Sequence, residues 1–92
     1  RWAIAAVALG MMVTVEDTGG ADIDTAAMAH LSVSTPAARR AHTVDFHNWV
    51  TVSNGTGMPS TDGGLLRPPA GPGLGIDVDV TALGAPVCEA GS

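Results

Sequence analysis

Residues 11–34 run Met11-Met12-Val13-Thr14-Val15-Glu16-Asp17-Thr18-Gly19-Gly20-Ala21-Asp22-Ile23-Asp24-Thr25-Ala26-Ala27-Met28-Ala29-His30-Leu31-Ser32-Val33-Ser34, and they decide the fold class. Met11–Val15 is a short apolar run with β-branched residues. It suits a buried parallel strand better than an alternating surface strand. Glu16 and Asp17 end the run, and Gly19-Gly20 permits a tight turn. Asp22 or Asp24 then opens a helix as its N-cap. Ile23, Ala26, Ala27, His30, Leu31 and Ser34 recur at helical spacing, a face of mostly small side chains suited to lying close on a sheet. Pro36 stops the helix, because the residue before a proline is pushed out of the α region.

Outward from this unit, Trp2–Leu9 reads as the end of an Ala-rich helix with Gly10 as its C′ stop. Ala37–His42 is a connection and Thr43–Phe46 a second short strand, with Asp45 near its end. Trp49–Val52 extends as a further strand piece. From Ser53 to Gly75 the chain is dense in Gly, Pro, Ser, Asn and Asp, which marks loops and turns. Asp62-Gly63 is a hairpin signal before a brief strand at Leu65–Arg67. Ile76–Val80 alternates apolar and acidic residues as an edge strand does, and the tail from Gly84 is expected to fray. Helix, strand, helix, strand and tail imply an α/β fold with a parallel sheet. Two strands do not complete such a sheet, so its other strands are expected before Arg1, which stands in mid-helix.

Composition narrows the function. The chain has 92 residues, 46% of them hydrophobic, but with one Phe, two Trp and no Tyr. A core of small side chains suits close packing against another body. The formal charge is −5, from Arg1, Arg39, Arg40 and Arg67 against nine acids, with no Lys. Without a basic stripe, nucleic acid is not an expected partner. No apolar run approaches the roughly 20 residues of a membrane span, so no membrane association is expected. Ala3–Leu9 is too short for one and leads into a strand rather than a cleavage site. Cys88 stands alone, which excludes an internal disulfide and a cysteine metal cluster and leaves a cytoplasmic compartment as the expectation.

Met12-Val13-Thr14-Val15-Glu16-Asp17-Thr18-Gly19-Gly20, then Asp22-Ile23 and Thr25-Ala26-Ala27-Met28-Ala29-His30-Leu31, resembles the seventh strand and helix of the mandelate racemase/muconate lactonizing group of the enolase superfamily. Thr43-Val44-Asp45-Phe46 resembles the eighth strand, and Pro72-Gly73-Leu74-Gly75-Ile76 a segment near that group's C-terminus. The Glu-Asp-Thr-Gly-Gly stretch, with Asp45-Phe46 and Val50-Thr51-Val52-Ser53, is similar to the proline-derivative branch of cis-3-hydroxy-L-proline dehydratases and hydroxyproline-betaine epimerases.

The resemblance implies the last strands and helices of a modified TIM (β/α)8 barrel. Such a barrel takes about 250 residues. Residues 1–52 then hold the end of helix six, strand seven, helix seven and strand eight, and 53–92 a tail returning to a capping domain. The implied chemistry is removal of a proton α to a carboxylate by a Lys or His base, with Mg²⁺ holding the enediolate. The base-bearing and Mg²⁺-binding strands of the family all precede the part matched here. No catalytic residue and no metal ligand is therefore expected in this chain, and the isolated chain is expected to be inactive. Substrate binding is what the resemblance leaves to it, by Glu16, Asp17, Thr18, Asp45 and Phe46 at the C-terminal ends of the two strands. The partner implied is a small-molecule carboxylate, and the parent is expected to be a homo-oligomer. Amino-acid-using relatives place Asp-x-Asp on the eighth strand; here Asp45 and His47 stand at those places, a departure from the pattern.

Plainer readings stand beside these. Asp17 and Asp22 are also candidate helix caps, and Asp45 a candidate salt-bridge partner. His30 reads as a hydrogen-bonded structural residue, and His42 and His47 lack zinc spacing. Trp49 is a packing residue for the pocket or the cap. Asn54-Gly55-Thr56 matches a glycosylation acceptor that a cytoplasmic enzyme does not use. Gly71–Gly75 lacks the Lys and the following helix of a phosphate loop and reads as a turn. Other members of the group (a dipeptide epimerase, a muconate cycloisomerase-like enzyme, a sugar-acid dehydratase), an orphan fragment without function and a small binding module are the alternatives. Acids and Gly stand where sugar-acid dehydratases often carry a His after the seventh strand, which argues against that one.

Overall fold

The computed structural model describes residues 1–16, 19–44, 49–58 and 61–91. Helix α1 (Trp2–Ala8) ends where expected. Gly10 takes φ 76°, which a side chain resists and glycine does not. Its N–H donates to Val7 O at 3.0 Å and that of Met11 to Ala6 O at 2.9 Å, a Schellman closure.

Strand β1 (Val13–Glu16) follows, then helix α2 (Asp22–Ser34), a single 3-10 turn (Ala37–Arg39) and strand β2 (Arg40–Val44). β1 and β2 pair in parallel, with Val13 opposite Arg40, Val15 opposite Thr43 and Glu16 opposite Val44. β2 therefore spends one extra residue between the first two partners, a bulge. A parallel pair requires a crossover, and α2 supplies it.

The expected strands shift in detail. β2 begins at Arg40, inside the stretch read as a connection, because Arg40–Val44 is long enough to answer all of β1. Phe46 lies outside the described residues. β1 pairs on one edge, and only Val15 along it is buried, while Thr14 and Glu16 are exposed. It is thus parallel as expected but not buried on both faces in this chain.

Helix α2 corrects the sequence reading more sharply. Its N-cap is Ala21, without a side-chain cap bond, and Asp22 is already helical. The buried residues are Asp22, Thr25, Ala26, Met28, Ala29 and Ser32. Ala27 and Ser34 from the expected face are exposed, and Leu31 is 51% exposed. Hydropathy pointed to the wrong stripe because three of the buried positions are polar, and the side chains of Asp22 and Ser32 are hydrogen-bonded. Ser32 Oγ, for instance, lies 2.7 Å from Thr43 Oγ1 on β2. Thr35, with ψ 131°, ends the helix before Pro36 as the proline rule requires.

Past β2 the chain is a set of short ribbons. β3 (Gly55–Thr56) pairs antiparallel with β6 (Asp77–Val78), and β4 (Thr61–Asp62) with β5 (Leu65–Leu66). Gly63 and Gly64, at φ 55° and 79°, turn the second ribbon, as two-residue hairpins demand. The edge strand read at Ile76–Val80 is thus shorter. Trp49–Val52 carries no strand, and Trp49 is 79% exposed. Among the described residues no strand pairs with 50–52. Residues 84–91 are exposed and outside helices and strands.

The buried hydrophobic side chains among the described residues are Val15, Ala26, Met28 and Ala29. The exposed surface is 6578 Å², where a folded monomer of 9.2 kDa exposes about 4,900 Å². The radius of gyration, 14.7 Å, exceeds the roughly 12 Å of a compact domain this long. Trp2, Ile4, Leu9, Met11 and Met12 are all more than half exposed around α1 and β1.

Ala26 is fully buried, so Ala26→Leu is expected to lower stability by about 1–3 kcal/mol through overpacking. Ala27→Leu on the exposed side is expected to stay within about 0.5 kcal/mol. Urea midpoints of the two variants check the face, and equal effects would refute it. In the tail, Asp79 Oδ1 accepts from Thr81 Oγ1 at 2.6 Å, Thr81 N–H at 2.9 Å and Ala82 N–H at 3.3 Å. The Thr81 hydroxyl first, then the two backbone amides, hold its carboxyl below the ordinary value of 3.8. Because the folded value is depressed, the turn's stabilisation is present above 3.8 and fades as pH falls through the folded value. Thr81→Val is expected to move the Asp79 carboxyl, followed by NMR titration, back toward its ordinary value.

Candidate functional site

Parallel strands present their C-terminal ends on one side, and here those ends are Glu16 and Val44, which pair. Glu16 is exposed and lines a cleft of about 410 Å³ with Trp2, Met12, Val15 and Leu31. It is an open carboxylate, suited to pairing with a cationic group, while the apolar part of the cleft belongs to the exposed surface around α1 and β1. Asp17, Thr18, Asp45 and Phe46, the other expected substrate-binding residues, lie outside the described residues, as does His47.

Asp22 is placed differently from the helix cap it was read as. It is 1% exposed, and its carboxylate turns to the tail rather than to its own helix. Oδ2 accepts the Ser53 hydroxyl, the Asn54 N–H at 2.8 Å and the Gly55 N–H at 3.1 Å. Consecutive backbone amides around one charged oxygen form a nest, and charge-assisted bonds of this kind are the strong ones. The buried Oδ1 of Asn54 has no hydrogen-bond partner among the described residues, so the nest uses the backbone of Asn54 and not its side chain.

Other polar groups tie the same unit. His30 Nε2 is 3.0 Å from Leu74 O, fastening α2 to the Pro72–Ile76 segment; this is the structural role expected of it. Arg39 Nη1 donates to Gly10 O at 2.7 Å and Arg40 Nη1 to Ser32 O at 3.1 Å. Both act at the N-terminal side of the strands. A second hollow of about 570 Å³ lies between β2 and the β4–β5 ribbon, lined in part by Ser32, Arg40, His42 and Leu65. The Asp22 nest joins residues more than 30 apart, so no local periodicity reports it. The only signal was the Ser53-Asn54-Gly55 run of potential donors.

Among the described residues no group of three or more His, Cys, Asp and Glu is placed to hold a metal ion. A magnesium ion needs several oxygen ligands. Asp22, the one buried carboxylate among the described residues, has its Oδ2 committed to three donors. These residues do not fit a magnesium centre.

The sequence profile of the family described as Enolase C-terminal domain-like matches residues 1–82. This chain belongs to that family. The enolase C-terminal domain-like chain is 42% identical, over 83 residues, to cis-3-hydroxy-L-proline dehydratase of Roseibium aggregatum, covering 90% of this chain and 23% of that protein. Among solved structures, a mandelate racemase/muconate lactonizing enzyme from Roseovarius nubinhibens ISM is 37% identical with a TM-score of 0.82, over 94% of this chain and 23% of the other. A second from the same organism, complexed with magnesium, is 35% identical with a TM-score of 0.87, over 96% of this chain and 24% of the other. The enolase C-terminal domain-like chain thus spans about a quarter of the length of these relatives. No helix among its described residues is long and apolar enough to cross a membrane.

His30→Phe keeps a ring of similar size and removes the bond to Leu74. It is expected to cost about 1 kcal/mol and to speed hydrogen exchange at Gly75, whose N–H bonds Pro72 O in the same turn. An unchanged urea midpoint together with unchanged Gly75 exchange would sink that role.

Proposed function

We propose that this chain is the closing βαβ segment and tail of a magnesium-dependent enzyme. That enzyme removes the proton α to a carboxylate, as a dehydratase or a racemase/epimerase, on a proline derivative or another amino acid. The observation that carries this reading is the 42% identity to a cis-3-hydroxy-L-proline dehydratase over 90% of the chain. The exposed apolar surface around α1 and β1 supports it, because a barrel supplies neighbours for both. Residues 1–52 are then the last part of the barrel, and 53–92 the tail toward a capping domain.

Within that enzyme the chain's part is recognition. It has no Lys to serve as base, and its described residues do not gather around a metal. Base and metal ligands are therefore assigned to other parts of the protein. Glu16, with Asp17, Thr18, Asp45 and Phe46, is assigned to the substrate, the carboxylates pairing with the cationic nitrogen of a prolinium-type ligand. A carboxylate that binds nitrogen equally in the ground and transition states lowers KM without raising kcat.

In the complete protein with Mg²⁺ and cis-3-hydroxy-L-proline, Glu16→Gln is expected to raise KM about tenfold, the loss of one charge-assisted bond, with kcat within about threefold. The 92-residue chain alone is expected to show no turnover. Turnover by the isolated chain would refute the division of labour, and an unaltered KM in Glu16→Gln would remove Glu16 from the site.

A further inference from the structure

The residues proposed to contact substrate fall in two stretches of sequence, one between the end of β1 at Glu16 and the start of α2 at Asp22, the other following the end of β2 at Val44. Glu16 and Val44 pair. Asp22 opens α2, and its carboxylate accepts from Ser53, Asn54 and Gly55, which follow the second stretch in the chain.

We infer that Asp22 is a positioning residue for the site, a latch whose carboxylate holds Ser53, Asn54 and Gly55 against the start of α2. This rests on the site reading proposed above. Three features of the latch support it. The carboxylate is buried, so water does not compete well for its donors. Two of the donors are backbone amides, which fixes the course of the chain and not merely one rotamer. The same segment then enters β3, and Asn54 O accepts the Asp79 N–H at 2.9 Å, so the held residues also anchor the β3–β6 ribbon. The latch touches no substrate; it acts through the segment it holds.

The test uses the complete protein with Mg²⁺ and cis-3-hydroxy-L-proline, comparing wild type, Asp22→Asn, Asp22→Ala and Ser53→Ala. Asp22→Asn keeps the shape and an acceptor oxygen but removes the charge, and Ser53→Ala removes one donor, so both remain informative if Asp22→Ala does not fold. Hydrogen exchange at Asn54 and Gly55 is expected to quicken about tenfold in Asp22→Asn, and less in Ser53→Ala, with the interior amides of α2 unchanged. KM is expected to rise at least fivefold in Asp22→Asn with a smaller change in kcat, and Asp22→Glu to recover part of it. Unchanged exchange at both amides would overturn the latch. Faster exchange with an unchanged KM, in a protein whose KM does respond to Glu16→Gln, would overturn the positioning role and leave the site reading standing. Faster exchange where neither Asp22→Asn nor Glu16→Gln moves KM would refute the site reading and, with it, the positioning role, leaving only a tie between α2 and the tail.

Discussion

A parallel strand pair cannot be closed by a tight turn, and everything described here depends on the crossover that α2 provides. The helix is thirteen residues long and, Met28 apart, buries only small or polar residues. Ala26 and Ala29 let it lie close on the sheet. Asp22 takes the tail, His30 takes the Pro72–Ile76 turn, and Ser32 reaches Thr43 by its hydroxyl and Arg40 by its carbonyl. With four buried hydrophobic side chains among the described residues, burial alone supplies little. Each fully buried aliphatic side chain contributes about 1.5–3 kcal/mol, and ordering one residue costs a comparable amount. Hydrogen bonds to α2 therefore carry an unusual share of the chain's internal order.

That balance explains what was legible in the sequence. The order of elements was, because β-branched runs, Gly stops and Pro36 act locally. Gly10 ends α1, the Gly19-Gly20 turn precedes α2, and the Asp62-Gly63 signal falls on the β4–β5 ribbon. The buried face of α2 was not. Hydropathy assigned Ile23 and Leu31 inward, whereas Asp22, Thr25 and Ser32 are buried and at least two of them are bonded across long sequence separations. A residue made acceptable in the interior by a partner 31 positions away is indistinguishable, in sequence, from one that points to water. Strand extent failed for a related reason. β2 begins at Arg40 because β1 lies opposite, while Val50, Thr51 and Val52, equally β-branched, join no strand among the described residues.

The placement of one expected site residue was legible. Glu16 stands at the strand end the pattern assigned to it, exposed and facing a cleft, and pairing of Glu16 with Val44 places both strand ends together. The latch was invisible, since Asp22 looked like a helix cap and a cap is a local device. Capping and latching use the same lone pairs; which one a carboxylate performs is set by whether backbone amides approach from outside the helix. Here the Ser53–Gly55 segment does approach, and Ala21 stands as the N-cap without a side chain able to accept.

The two ends of the strand pair are held by different chemistry. On the N-terminal side, Arg39 and Arg40 reach over to carbonyls of Gly10 and Ser32, cationic side chains on neutral acceptors, with Arg39's bond exposed. On the C-terminal side a buried anion gathers neutral donors. In barrel enzymes the first side serves stability and the second serves function, and the difference has a physical use. An arginine whose bond is exposed, as Arg39's is, can shift and find another carbonyl, so that end tolerates small movements of the strands. A buried carboxylate has no such freedom, because leaving its amides strands a charge in the interior at a cost of several kcal/mol. Rigidity is thereby placed beside the residues proposed to bind substrate, where a displacement of one ångström matters most, and is left lower at the end where no chemistry is proposed.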